Sequence, residues 1–322
     1  MKKVLLIVLS LIMMISLVAC SDGTQQGETS DLETSAQTSA QTSAQTSAQT
    51  SSETSAQTTQ NTESETSEKE EEQTSEDTEP LPPAKTKVAV FTDPHSALID
   101  TKVNTRRPSL SPVKIKKMMD KFERMGVEYV ICLGDFIENA YDDEENTEML
   151  EMLMGIIGTY DIPFYTLMGN HDCDAFTKEQ FYDITGLDDA PTTARVGDAL
   201  FVYLDANFLS DGTSYAPGNI DWTDAYIPQE QLDFYKNAWQ NTDAEEVYVF
   251  LHENLDTNIT NQKYWIKNAE QVRAALAECP KLRGVYQGHY HKGITSVFDD
   301  VPYITIPAVC EGEDMPYIIL EV

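Results

Sequence analysis

Val127-Glu128-Tyr129-Val130-Ile131-Cys132-Leu133-Gly134-Asp135 joins a short, mostly apolar run to a glycine and a carboxylate. A run of that length and texture predicts a strand. On its N-terminal side, Ser111 and Pro112 open a helical pattern with apolar positions at Ile115, Met118, Met119 and Phe122, ending near Gly126. Ahead of that helix, Val88-Ala89-Val90-Phe91 reads as another strand. Beyond Asp135 a second helix is expected over residues 147–160 and a third strand over 163–168. Strand, helix, strand, helix, strand is the pattern of parallel βαβ units and sets the class as α/β.

The second half continues the theme more loosely. A strand is expected over 199–204, then a long polar loop, a helix over 229–239, a strand over 246–251 and a helix over 264–276. Four short strand-like runs close the chain, at 283–287, 294–298, 303–306 and 317–321. No second linker interrupts this stretch, so residues 86–322 are expected to form one domain.

Upstream the texture is different. Residues 34–57 repeat Thr-Ser-Ala-Gln with little variation, and 63–79 are mostly acidic and polar. Neither segment carries the apolar surface that offsets ordering entropy, so the linker, 20–85, is expected to be disordered. As a flexible coil, about 65 residues reach roughly 45 Å. It is either a spacer or merely solubilising sequence. Residues 1–19 begin with Lys2 and Lys3, continue in an apolar run over 4–18, and lead to Cys20. That run is shorter than the roughly 20 residues of a spanning helix and reads as a secretory signal. Leu17-Val18-Ala19-Cys20 resembles the lipobox of bacterial lipoproteins, which implies a lipid on Cys20 and an extracytoplasmic, membrane-anchored protein. The other reading is an ordinary cleaved signal with a chance cysteine.

The chain carries a formal net charge of −32. Residues 86–322 hold 40 acidic and 18 basic side chains, a net of −22. Such a domain repels nucleic-acid backbones, and no stable nucleic-acid binding is expected. Metal ions at a carboxylate-rich site still allow one phosphate group to bind locally. Past Cys20 the cysteines are Cys132, Cys173, Cys279 and Cys310, without a CxxC pair. Cys132 sits in the opening run and reads as a buried small hydrophobe. A Cys279–Cys310 bridge is left open.

Polar metal-ligand residues follow five of the predicted strands. They are Asp93-Pro94-His95, Gly134-Asp135, Gly169-Asn170-His171-Asp172, His252, and Gly288-His289-Tyr290-His291. In open α/β sheets the crevice beyond the strands' carboxyl ends is where ligands bind. The five blocks, in this order, resemble the calcineurin-like metallophosphoesterase family. The resemblance covers nearly all of the expected domain and implies a two-sheet α/β sandwich flanked by helices.

Carried over residue by residue, the resemblance implies one metal ion held by Asp93, His95, Asp135 and His291. A second is held by Asp135, Asn170, His252 and His289, with Asp135 bridging. Imidazole with carboxylate and amide oxygen suits two divalent transition metal ions, Mn, Fe or Zn. Ions about 3.5–4 Å apart clamp a phosphoryl oxygen and make hydroxide available as the nucleophile. His171, not a ligand in that family, lies beside the phosphate and protonates the leaving oxygen or stabilises developing charge. Asp172 is expected to orient its ring.

Glu138 stands where purple acid phosphatases carry a tyrosine ligand, which argues against an iron–tyrosinate site; Glu138 and Asn139 read as a solvated helix-start pair. Arg106 and Arg107 either fork onto a substrate phosphate or form a surface pair ahead of Pro108. The loop 207–227, with Tyr215, Trp222 and Tyr226, is either an aromatic wall or a packed surface loop. The expected function is metal-dependent hydrolysis of a small phosphorylated substrate: a phosphomonoester, a phosphodiester or a nucleotide pyrophosphate. The alternatives are a surface lipoprotein that binds metal or phosphate without turnover, and a wall-polymer hydrolase using paired carboxylates alone.

Overall fold

In β1 (Lys87–Phe91), the side chains from Val88 to Phe91 are fully buried, with Val88 and Val90 in one apolar cluster and Ala89 and Phe91 in another. Burial on both faces is the reason these strands read as unbroken apolar runs. The computed structural model describes residues 85–100, 105–140 and 142–322. The expected signal peptide (1–19), Cys20 and all but the last residue of the expected linker lie outside the described residues.

β2 (Tyr129–Cys132) and β3 (Phe164–Thr166) run parallel to β1, and the order of the four-stranded sheet is β10-β1-β2-β3, with β10 (Ile318–Glu321) antiparallel at the edge. Phe91 pairs with Cys132 and Cys132 with Thr166, so three parallel strands end level with one another. The second sheet contains β4 (Thr192–Val196), β5 (Ala199–Tyr203), β6 (Glu246–Phe250), β7 (Leu282–Gln287), β8 (Ile294–Phe298) and β9 (Val301–Thr305). Its order is β4-β5-β6-β7-β9-β8, parallel through β5, β6, β7 and β9, with antiparallel strands at both edges.

The sheets pack face to face through Val88, Val90, Ile131 and Tyr165 on one side and Phe201, Tyr203, Phe250 and Tyr286 on the other. On the outer face of the first sheet lie α1 (Ser111–Met125) and α2 (Asp143–Ile157), which contribute Ile115, Phe122, Leu150 and Leu153 to its core. Two short helices follow β3, α3 (Asn170–Ala175) and α4 (Lys178–Thr185). Leu232 and Tyr235 of α5 (Gln229–Gln240), with Val272 and Leu276 of α6 (Ala269–Ala277), cover the outer face of the second sheet. The result is the expected two-sheet sandwich with helices outside.

Several local expectations need correction. α2 starts at Asp143 rather than 147, because Asp142 caps it by accepting the N–H groups of Glu144 and Glu145. Its acidic first turn looks like loop but suits the positive end of a helix. Tyr264 belongs to a separate 3-10 turn (Gln262–Tyr264), so α6 begins later than expected. β4, α3 and α4 were not expected at all. The Cys279–Cys310 bridge does not form, since all four described cysteines are buried free thiols. Cys279 packs in the helix-covered core, whereas the Cys310 sulfur lies 3.8 Å from His291 Nδ1.

Candidate metal centre

The loops leaving β1, β2, β3, β6 and β7 meet at one edge. Four of their residues hold positive φ: Asp93 (51°), His95 (43°), Asp135 (48°) and His289 (63°). Side chains larger than glycine rarely adopt this region, and such strain persists only where the surroundings over-determine it. Here Asp93 N–H donates to Gly134 O (3.1 Å), His95 N–H to Asp135 O (2.9 Å) and Gly288 N–H to His252 O (2.9 Å). Two glycines are required by close approach. A Cβ on Gly134, itself at φ 113°, would lie 2.7 Å from Gly169 N, and one on Gly288 would lie 2.7 Å from Asp93 Oδ2.

The expected ligands converge in two groups. Asp93, His95, Asp135 and His291 place one donor atom each within 4.8 Å of one another, and so do Asp135, His252 and His289. Asp135 belongs to both. Its Oδ2 lies 3.3 Å from His95 Nε2 and 3.2 Å from His252 Nε2, while Oδ1 accepts the His171 N–H at 2.8 Å. His291 Nε2 is 3.3 Å from Asp93 Oδ1 and 3.1 Å from His95 Nε2.

Two imidazoles are held by their other nitrogen, and a third has a carboxylate close to it without hydrogen-bond geometry. His252 Nδ1 donates to the Leu133 carbonyl (3.0 Å), His291 Nδ1 meets Glu311 Oε1 (2.8 Å) and His95 Nδ1 lies 2.9 Å from Glu138 Oε2. Partners of this kind fix ring orientation and aim Nε2 at a cation. Asp93 Oδ1, Asn170 Oδ1, His252 Nε2 and His289 Nε2 are buried without a hydrogen-bond partner. Buried polar atoms are almost always paired, so four orphans facing one site fit cation ligation.

Without a cation, the carboxylates and imidazoles of the site charge one another, and a metal ion would have to displace the protons on the raised histidines. Burial acts to raise Asp93 and Asp135, but neighbouring histidines, His252 foremost, hold both well below the carboxylate range. Burial acts to lower His252, yet Asp135 pushes it up to about 10. Against the same burial, His291 is pushed up to about 11 through Asp93 and Cys310. His289 is pushed down to about 3 by burial and by the charge of His252.

Asp172 does not orient His171. Its oxygens accept the backbone N–H groups of Phe136 (3.0 Å), Ile137 (2.9 Å) and Gly169 (2.9 Å), tying the loop after β2 to the loop after β3. Burial, then Asp135, pushes its carboxyl up to about 7. The carboxylate that meets the His171 ring is Glu138, with Oε1 3.3 Å from Nδ1. Glu138 is therefore no solvated helix-start residue: its side chain is 12% exposed and lies between His95 and His171, with Arg106 Nη1 at 3.6 Å. Burial acts to raise its pKa, but His171 and His95 hold it far below the usual range. His171 itself is raised, since Asp135 and Glu138 outweigh its burial.

Above the centre opens a cavity of about 720 Å³. Arg106 lines it, with Nε buried and unpartnered, whereas Arg107 turns to Asp100 at 3.3 Å on the surface. Of the three aromatics expected from the loop, only Trp222 lines the cavity, joined there by Tyr264 and Tyr290. Tyr215 is buried and donates its hydroxyl to Asp221 O (2.6 Å).

The family model described as calcineurin-like phosphoesterase matches residues 86–293. A "Probable cyclic nucleotide phosphodiesterase" of Fibrobacter succinogenes is 23% identical over 228 residues, 69% of this chain and 79% of that protein. The serine/threonine-protein phosphatase CPPED1 of Mus musculus is 26% identical over 200 residues, 58% of this chain and 61% of its own length. In fold, the chain resembles the crystal structure of a dimetal phosphatase from Danio rerio, at 17% identity and a TM-score of 0.64, covering 74% of this chain and 93% of that one. The family match takes in all five blocks from Asp93 to His291, and the chain belongs to the calcineurin-like phosphoesterase family.

Proposed function

We propose that this chain hydrolyses small phosphodiesters outside the cytoplasm, using two divalent transition metal ions. The observation that carries the reading is the set of orphaned donors, Asp93 Oδ1, Asn170 Oδ1, His252 Nε2 and His289 Nε2, around a shared Asp135. Asp93, His95, Asp135 and His291 would hold one ion, and Asp135, Asn170, His252 and His289 the other. Mn, Fe and Zn suit this mixture of imidazole, carboxylate and amide oxygen. Once bound, the ions supply Lewis acidity at the phosphoryl group and acidify water.

The chain's own groups do the rest. His171, whose pKa is raised because Asp135 and Glu138 outweigh its burial, offers a ring nitrogen that can carry a proton to the leaving oxygen. Glu138 lies between that ring and the His95 ring, its oxygens 3.3 and 2.9 Å from their Nδ1 atoms. Arg106 lines the cavity with its Nε unpartnered and its Nη1 beside Glu138, and a guanidinium fork there matches phosphate oxygens. A diester is favoured over a monoester because the cavity, about 720 Å³ and lined by Trp222, Tyr264 and Tyr290 as well as by Arg106, holds more than a lone phosphate group. The name of the Fibrobacter relative points the same way.

The signal-like residues 1–19 and Cys20 support a lipid-anchored protein, held off the membrane by its linker. Cys20→Ala should then shift the protein from the detergent phase to the aqueous phase on partitioning. For the chemistry, the metal-stripped protein is reloaded with Mn, Fe or Zn and assayed on bis(4-nitrophenyl) phosphate and 4-nitrophenyl phosphate. Metal-dependent turnover, faster on the diester, is expected. Bound metal without turnover on either would leave a binding protein, and turnover that survives chelation would remove the metal from the mechanism.

A further inference from the structure

We propose that Trp222, backed by Tyr264 and Tyr290, is a platform for a planar ring carried on one ester arm of the substrate, and that it sets substrate choice. This rests on the phosphodiester reading above.

Three rings converge from three separate segments. Trp222 comes from the loop before α5, Tyr264 from the 3-10 turn Gln262–Tyr264, and Tyr290 from the loop after β7. The Trp222 and Tyr264 centroids are 5.5 Å apart, and those of Tyr264 and Tyr290 are 5.1 Å apart. The His289 ring, in the second donor group, lies 5.7 Å from Trp222 and 5.3 Å from Tyr264. A group resting on Trp222 is thus one ring away from the metal donors.

Trp222 is 36% exposed, unusual for an indole whose burial would release much water. Its loop is nonetheless tightly built. The buried Tyr215 hydroxyl donates to Asp221 O (2.6 Å), Thr223 N–H donates to Asp221 Oδ1 (3.0 Å) and Ser210 N–H to Asp224 Oδ2 (3.1 Å). An exposed indole on a braced loop, lining the cavity, is arranged in advance for a ligand face.

A flat ring fits this platform better than a cationic head group does. Aromatic cages take quaternary ammonium ions through the ring faces. Here Arg106 and Lys292 balance Asp135 and Glu311 in the cavity lining, and two bound metal ions would add positive charge beside His289. A further positive charge is disfavoured there, whereas a neutral π-face stacks without that penalty. The ring is either a nucleobase or a simple aryl group, which share this stacking chemistry.

The test uses the metal-loaded full chain, wild type beside Trp222→Ala and Trp222→Phe, with metal content confirmed equal. Four diesters are compared: 2′,3′-cyclic AMP, bis(4-nitrophenyl) phosphate, glycerophosphoglycerol and glycerophosphocholine. Trp222→Ala is expected to raise KM about tenfold on the ring-bearing substrates, as loss of a stacking partner does. Glycerophosphoglycerol should change less than about twofold, and Trp222→Phe should restore most of the loss. AMP should quench wild-type tryptophan fluorescence more than glycerol phosphate does, a difference that Trp222→Ala abolishes. A nucleotide-only effect identifies the ring as a base, and an equal effect on both identifies any aryl ring; either supports the platform. Equal loss on all four substrates, or the largest loss on glycerophosphocholine, overturns it. Absence of turnover on every diester by the wild type removes the diester reading and this inference with it.

Discussion

Asp135 is the one side chain whose removal reaches both donor groups, because its Oδ2 faces His95 and His252 at 3.3 and 3.2 Å. Asp135→Asn keeps the shape but loses the charge both cations need, so metal analysis should find most of both ions gone and turnover lost with them. His171 should separate from the ligands. With its ring beside Glu138 rather than in either donor group of the shared Asp135, His171→Ala should leave metal content near normal while turnover falls about 10²- to 10⁴-fold. If it strips the metal instead, the division of roles is wrong. Glu138→Gln should lower turnover about 10- to 100-fold, as loss of an orienting carboxylate does, with a smaller loss of metal through His95. The candidate donors were legible because each sits directly beyond a strand, in a block that local sequence displays. Glu138 was not. Its meaning depends on where two rings from other strands come to rest, and a charged residue beside Asn139 looks like ordinary loop. Asp172 misled for the same reason: adjacency to His171 in the chain suggested contact, while its oxygens are occupied by backbone N–H groups of Gly169 and of the loop after β2.

The helices and strands divide by how their stability is encoded. α1 was legible from end to end, since its apolar spacing is helical and Gly126, at φ 67°, supplies a left-handed stop. Phe122, fully buried against the four-stranded sheet, should cost about 3–5 kcal/mol on substitution by alanine, read as a shift in the urea midpoint at constant slope. α2 carries its start in a cap rather than in apolar period, and Asp142→Ala should cost only about 1 kcal/mol in the same assay. A loss at Asp142 equal to that at Phe122 would mean that the cap does more than close the helix. β4 escaped notice because Thr192–Val196 is largely half-exposed and is defined by its pairing with β5, which no local pattern displays. α4 did leave a signal, the capping box from Thr177 to Gln180, in a stretch whose length is only two helical turns.

For the whole molecule, the order of strands matters more than any one of them. Nothing local announces that β10 returns beside β1, or that two parallel sets split into two sheets whose carboxyl ends share an edge; that part of the fold came from the resemblance carried by the five blocks. Once the edge is formed, the proposed ions would make it a cationic centre in a strongly acidic body. Residues 86–322 carry a net charge of −22, whereas in the cavity Arg106 and Lys292 balance Asp135 and Glu311 and the proposed ions would add positive charge. The two fields differ in range. The local cations act on a substrate already in the cavity, while the net negative charge acts on one approaching from solvent. Salt shortens the Debye length from about 30 Å at 0.01 M to about 8 Å at 0.15 M, which screens the distant repulsion and leaves the close attraction. For bis(4-nitrophenyl) phosphate, an anion, kcat/KM should therefore rise about two- to fivefold over that range of sodium chloride. Glycerophosphocholine, with no net charge, should respond little, which controls for effects of salt on the protein itself. A fall in kcat/KM for the anion would mean that the cavity's own field extends past the acidic surface and steers substrate in.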